Sequence, residues 1–152
     1  MRKTIRNLLL VTVLLSGPAT AGPVVNMNHM LITHVMLTNE GYSLWPGNTK
    51  VGQAVYEHRR SIVIVEHDGI NVESATIVFL PGCGEEPFAA MAIVFAAITD
   101  CEGTPEEFVR IVRRVVNGLK LSQSTSFRLA GVSVKAEKLH QEKTIIVKVG
   151  KR

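Results

Sequence analysis

The chain has 152 residues, a formal net charge of +4 and 46% hydrophobic residues. A hydrophobic fraction of this size is typical of a folded chain and excludes wholesale disorder. The length suits one domain with a core of its own.

The first 21 residues have the pattern of a secretory signal peptide, with a positive start, a short apolar run and a small-residue cleavage site. The apolar run is too short to cross a bilayer, so we expect no stable membrane span. We therefore expect an exported protein, periplasmic or secreted, with a single mature domain over 22–152 and a mobile start at 22–28. The three parts of the signal are Arg2, Lys3 and Arg6; residues 8–15; and Ala19-Thr20-Ala21.

Removing this segment changes the charge balance. The whole chain has 17 basic and 13 acidic residues, and residues 1–21 hold three of the basic ones, which leaves 14 against 13. A nearly neutral domain gives no reason to expect nucleic-acid binding. The charges are nevertheless uneven, because residues 40–107 are mostly acidic and residues 108–152 mostly basic. Either the two halves neutralise each other, or an exposed charged face steers a partner.

The elements before residue 81 are predicted mainly as strands. Residues 29–37 are apolar and favour a strand, and residues 42–51 contain a turn at Pro46-Gly47. The β-branched run 61–65 and the alternating run 72–80 flank Asp68-Gly69, which is a strong signal for an antiparallel hairpin.

Two helices are predicted next. Residues 87–99 are apolar nearly all round, which indicates a buried helix that begins at Pro87. The second helix begins after Thr104, where Glu107 completes a capping box, and ends at Asn117-Gly118. Two strands follow at 126–139, with a bulge at Ala130-Gly131, and at 143–149. Strands on both sides of two central helices predict a two-layer α+β domain, with an antiparallel sheet and both helices packed on one face.

Cys83 and Cys101 are the two cysteines of the chain. In an oxidising compartment such a pair predicts a disulfide, which would close a loop of 19 residues and stabilise the fold by roughly 3 kcal/mol. The predicted helix between them works against this pairing. A straight helix over 87–99 is about 20 Å long, so the bridge forms only if residues 84–86 run back along the helix or if the helix is shorter.

A methionine- and histidine-rich segment is the candidate metal site. Thioether and imidazole groups suit copper, and an exported protein would meet that metal. As a strand, however, the segment would place its two histidines on opposite faces, and methionines in an apolar run commonly pack in a core. The candidate ligands are Met27, His29, Met30, His34 and Met36.

Catalytic motifs give little support to an enzyme. The chain has neither a G-x-S-x-G elbow nor an S-x-x-K motif. A small hydrolase would need a cleft that unites His58, His67 or Asp68 with a hydroxyl group. The paired acids Glu85-Glu86, before the first predicted helix, and Glu106-Glu107, in the first turn of the second, are explained by the helix dipole and by helix capping.

The sequence resembles no family that we can name, and three functions remain open. The first is a non-enzymatic interaction protein of the cell envelope, such as an inhibitor or immunity-type protein or an accessory subunit of an assembly, with no cofactor. The second is an exported copper or small-ligand binding protein, and the third is the hydrolase. Aromatic residues beside a turn and a basic helix stripe are the candidate partner contacts, although core packing and helix-dipole placement also explain them. These residues are Tyr42, Trp45, Arg110, Arg113 and Arg114.

Overall fold

The computed structural model describes residues 28–48, 50–139 and 141–151. In this part of the chain, seven strands form one sheet, accompanied by three α-helices and a short 3₁₀-helix. The elements are, in chain order, α1 (His29–Asn39), β1 (Ser43–Leu44), the 3₁₀-helix (Pro46–Asn48), β2 (Gln53–His58), β3 (Ser61–His67), β4 (Val72–Phe79), α2 (Glu86–Ile98), α3 (Pro105–Leu121), β5 (Ser124–Leu129), β6 (Val132–Leu139) and β7 (Thr144–Lys151).

The sheet has the order β1-β2-β3-β4-β7-β6-β5, and all neighbouring strands are antiparallel. Strands β1 to β4 form one meander and β5 to β7 form another, and the two meet where β4 pairs with β7. Helices α2 and α3 make the connection between the meanders. The predicted α+β class with an antiparallel sheet is therefore confirmed.

The β3–β4 hairpin follows the sequence prediction. Asp68 accepts hydrogen bonds at Oδ1 from the backbone of Ile70 and Asn71, and Gly69 takes a positive φ of 101°. The side-chain amide of Asn71 also donates a hydrogen bond to Oδ2 of Asp68, and this bond, followed by the two backbone bonds, lowers the pKa of Asp68 to about 2. The aspartate thus shapes the turn.

The strand predicted over 29–37 is wrong, because this segment forms helix α1. Asn28 caps the helix, since its Oδ1 accepts a hydrogen bond from the backbone N–H of Leu31 at 2.8 Å. The helix buries Thr33 and Leu37 toward the rest of the fold. The predicted mobile start at 22–28 includes Asn28, which instead caps this helix. The rest of that start, 22–27, lies outside the described residues.

The two central helices form where the sequence predicts them. Helix α2 is buried almost all round and packs on β3, β4 and β7 as well as on α1. Helix α3 starts at the predicted capping box between Thr104 and Glu107. It continues to Leu121, past the predicted end at Asn117-Gly118. At Gly118 a Cβ would lie 2.6 Å from the side chain of Thr125, so glycine permits the close approach of α3 to β5.

Two further strand predictions need correction. Ala130 and Gly131 form the turn of a hairpin between β5 and β6, and do not form a bulge. Both residues have positive φ, 52° and 73°, as a two-residue hairpin turn requires. In addition, strand β2 (Gln53–His58) lies in a stretch for which no element was predicted.

The predicted disulfide is also wrong, since Cys83 and Cys101 are both free. They stand at opposite ends of helix α2, whose 13 residues span about 20 Å, whereas a disulfide joins Cα atoms within about 7 Å. The helix begins at Glu86, only three residues after Cys83, so the chain does not run back along it.

Candidate functional site

The structure separates the residues of the predicted copper site. Because the segment is helical, His29 and His34 point about 140° apart around the helix axis. His29 lies 3.7 Å from the carboxylate of Asp100, while the Nδ1 of His34 lies 3.1 Å from the hydroxyl of Tyr56. Met30 and Met36 pack against the core, and Met27 lies outside the described residues. In the described part of the chain, no three His, Cys, Asp or Glu side chains converge as metal ligands.

The residues of the predicted hydrolase site are separated as well. His58 stands before β3, whereas His67 and Asp68 lie at its far end, roughly 20 Å away along a seven-residue strand. The ring of His58 has its Nδ1 at 2.7 Å from the carbonyl oxygen of Gly41 and its Nε2 at 3.7 Å from Glu86. Neither ring nitrogen contacts a hydroxyl group, so this histidine links the turn after α1 to the start of α2.

The two aromatic candidates, Tyr42 and Trp45, differ in their exposure to solvent. Tyr42 is only 2% exposed, and its hydroxyl bonds to Ser61, so it belongs to the core and cannot serve as a partner contact. Trp45 is 44% exposed at the edge of the sheet, and its backbone N–H bonds to the carbonyl of Val55 at 2.8 Å. Trp45 is therefore partly exposed, unlike Tyr42.

The arginine stripe lies on the solvent side of α3. Arg110, Arg113 and Arg114 are all exposed, and the guanidinium of Arg114 stacks over the ring of Phe127 at 4.8 Å. The Arg114 contact holds α3 against β5. Helix α3 packs on β5 and β6, whereas Trp45 lies beside β2 toward the opposite end of the sheet, so these four candidates do not form one surface.

The sheet face opposite the α-helices, which we call the open face, was not predicted from the sequence. The described helices pack on the other face, where the alternate strand residues are buried. Across the middle of the open face, Ile62 pairs with Val78, and Val78 pairs with Ile146. These three side chains are half-buried. In the next row, Val55 pairs with Ile64, and the register places Trp45 beside Val55.

Charged residues flank this apolar centre with opposite signs. Glu57 and Glu66 stand on β2 and β3, on one side of the face, and Lys135 and Arg128 stand on β6 and β5, on the other. Within the chain, Glu66 accepts a hydrogen bond from Ser74 and lies 3.7 Å from Lys148. On this face, Glu57 and Glu66 thus stand on strands from the acidic half of the sequence, and Lys135 and Arg128 stand on strands from the basic half. Glu137, which stands on the basic side, is the exception.

Comparisons of the chain with family models, with curated proteins and with solved structures found no match. None of the helices in the described ranges reaches the length and hydrophobicity needed to cross a membrane. The predicted signal at 1–21 lies outside the described residues, so export remains a prediction.

Proposed function

We propose that this chain is a non-enzymatic interaction protein that docks through its open face, and that the partner on this face is a second copy of the chain. The observation that carries the proposal is the apolar row Ile62, Val78 and Ile146 at the centre of a sheet face that no described α-helix covers. In a two-layer α+β fold, water on a polar outer face is the ordinary arrangement. A row of β-branched side chains there favours burial against another surface.

The charge pattern favours a particular arrangement of the two copies. A two-fold axis parallel to the strands, between β4 and β7, places the acidic side of one copy over the basic side of the other. It also places Val78 over the Ile146 of the second copy. A two-fold axis across the strands would instead place like charges together. Complementary potentials of this kind select the register of an interface more than they add affinity.

The size of the open face is sufficient for such a contact. In sheet order, six strands lie from β2 to β5. At about 4.8 Å spacing and about 20 Å in length, they give a face of roughly 500 Å² per copy. Two copies would bury about 1,000 Å², near the lower end of the range for specific interfaces. Trp45 at the edge adds a large, exposed aromatic side chain of the kind that is enriched at interfaces.

The proposal is tested by measuring the mass of the protein in solution. We expect a dimer by sedimentation equilibrium, and a monomer for Val78→Lys, because the new charge would be buried against Ile146 of the second copy. Val35→Lys is the matched control, since Val35 is 48% exposed on helix α1. Circular dichroism checks that each variant is folded. A wild-type protein that stays monomeric up to about 100 µM would overturn the proposal.

A further inference from the structure

A second feature, on the helix side of the sheet, is an apolar cavity of about 210 Å³. It lies between α2, α3 and the strands β4, β6 and β7, far from the open face. Its wall is made of aliphatic, aromatic and methionine side chains, with two lysines as the polar members. The lining includes Phe88, Met91, Val112, Val116, Lys120 and Lys138.

The two lysines come from elements that are distant in the chain. Lys120 is exposed in the last turn of α3, and Lys138 is half-buried near the end of β6. Val116, one turn before Lys120, is 40% exposed, so the cavity opens to solvent on this side. Among the described residues, no carboxylate lies within 4 Å of either ammonium group. The opening therefore carries two positive charges above an apolar interior.

We infer that this cavity binds a single-chain fatty carboxylate. The apolar wall suits an alkyl chain, and the two ammonium groups suit the carboxylate at its end. An apolar protein cavity of about 150 Å³ holds benzene, so this cavity suits a chain of about eight carbons. A lipid with two acyl chains exceeds the volume. The inference is independent of the proposed self-association.

The competing explanation is structural, because lysine stems commonly cover apolar surface while their charges stay in water. That explanation predicts no preference for an anionic ligand. Ligands that share one alkyl chain and differ only in head group therefore separate the two explanations on the unmodified protein.

The experiment is isothermal titration of the full chain with octanoate, octanol and octylammonium. We expect octanoate to bind about tenfold more tightly than octanol, and octylammonium to bind most weakly. The double variant Lys120→Met with Lys138→Met should bind octanoate no better than octanol, because methionine keeps the apolar stem and removes the charge. Lys50→Met, at an exposed position before β2, is the matched control and should bind like the wild type.

Three results would overturn the inference. One is the absence of saturable octanoate binding by the unmodified protein. Another is equal affinity for all three ligands, which would assign the lysines a covering role only. The third is an equal loss of octanoate affinity in the control and in the double variant, which would place the anion elsewhere on the surface.

Discussion

The hydroxyl of Tyr42 lies 2.8 Å from the Oγ of Ser61, and Ser61 also donates a hydrogen bond to the backbone carbonyl of His58. This contact joins the turn after α1 to the start of β3, deep in the fold. Burial raises the pKa of Tyr42 to about 12, against the lowering effect of the hydrogen bond to Ser61. Burial likewise raises the pKa of Tyr56 to about 12.

These two raised pKa values predict that the protein loses stability at alkaline pH, when its tyrosines ionise. The neutral phenols are favoured in the folded state, so their contribution to stability is complete below the ordinary pKa of 10.0 and is lost as the pH rises toward 12. Since the chain has only two tyrosines, tyrosinate absorbance should rise together with the loss of circular dichroism. Tyrosinate formation centred on pH 10 in a protein that stays folded would contradict this.

The capping box of α3 gives a second prediction. The hydroxyl of Thr104 accepts a hydrogen bond from the backbone N–H of Glu107 at 3.2 Å, and the Glu107 carboxylate accepts one from the backbone N–H of Thr104 at 2.9 Å. Thr104→Ala should lower the free energy of unfolding by about 1 kcal/mol. Thr104→Ser keeps the acceptor and should remain close to the wild type. Urea denaturation measures both, and equal losses in the two variants would show that the cap is not the cause.

Gly118 gives a third prediction, in which the change in stability is opposite to the one that helix propensity alone predicts. In an exposed helix, alanine is favoured over glycine by about 1 kcal/mol. Here the added methyl group would lie 2.6 Å from the side chain of Thr125, so Gly118→Ala should destabilise the protein. Asn117→Ala, at the neighbouring exposed position, should be neutral or slightly stabilising. Thermal unfolding of the two variants compares them, and a gain in stability at Gly118 would refute the predicted clash.

The cysteines give a fourth prediction. With Cys83 and Cys101 at opposite ends of α2, non-reduced protein should carry two alkylatable thiols after unfolding. In the native protein, burial and the nearby Asp100 carboxylate raise the pKa of Cys101. In the variant Cys83→Ser, Cys101 should therefore react with iodoacetamide more slowly at neutral pH than a solvated cysteine does. Mass spectrometry follows both reactions, and a peptide cross-linked through the two cysteines would contradict the fold.

Several parts of the fold could be predicted because their signals are local. Asp68-Gly69 specifies its hairpin through its own side-chain hydrogen bonds, and Thr104 with Glu107 specifies the start of α3. A strand was predicted in place of helix α1 for two reasons. The apolar residues of this segment do not form one helical stripe, and the β-branched residues Ile32 and Val35 have a high propensity for strands. Its one helical signal is Asn28, a single N-cap residue.

The candidate surfaces could not be predicted because they depend on register between distant strands. Ile62 and Ile146 lie in one row only because their strands, β3 and β7, both pair with β4 at Val78. Nothing local indicates that β4 pairs with β7, nor that Lys120 and Lys138 share a cavity. The uneven charge of the two sequence halves can be counted in the sequence itself. Its consequence, an acidic and a basic side on one face, needed the strand order.

The most direct test of self-association through the open face is sedimentation of two charge-reversed variants, alone and mixed. Arg128→Glu and Glu66→Lys each place like charges together twice in the proposed dimer. The two-fold axis lays β3 over β6 and β2 over β5, which puts Glu66 beside Arg128 of the second copy, and it repeats every contact. An equimolar mixture restores both pairings. We predict monomers for each variant alone and a heterodimer for the mixture. Dimers formed by each variant alone, or a mixture that remains monomeric while the wild type dimerises, would contradict the proposed interface.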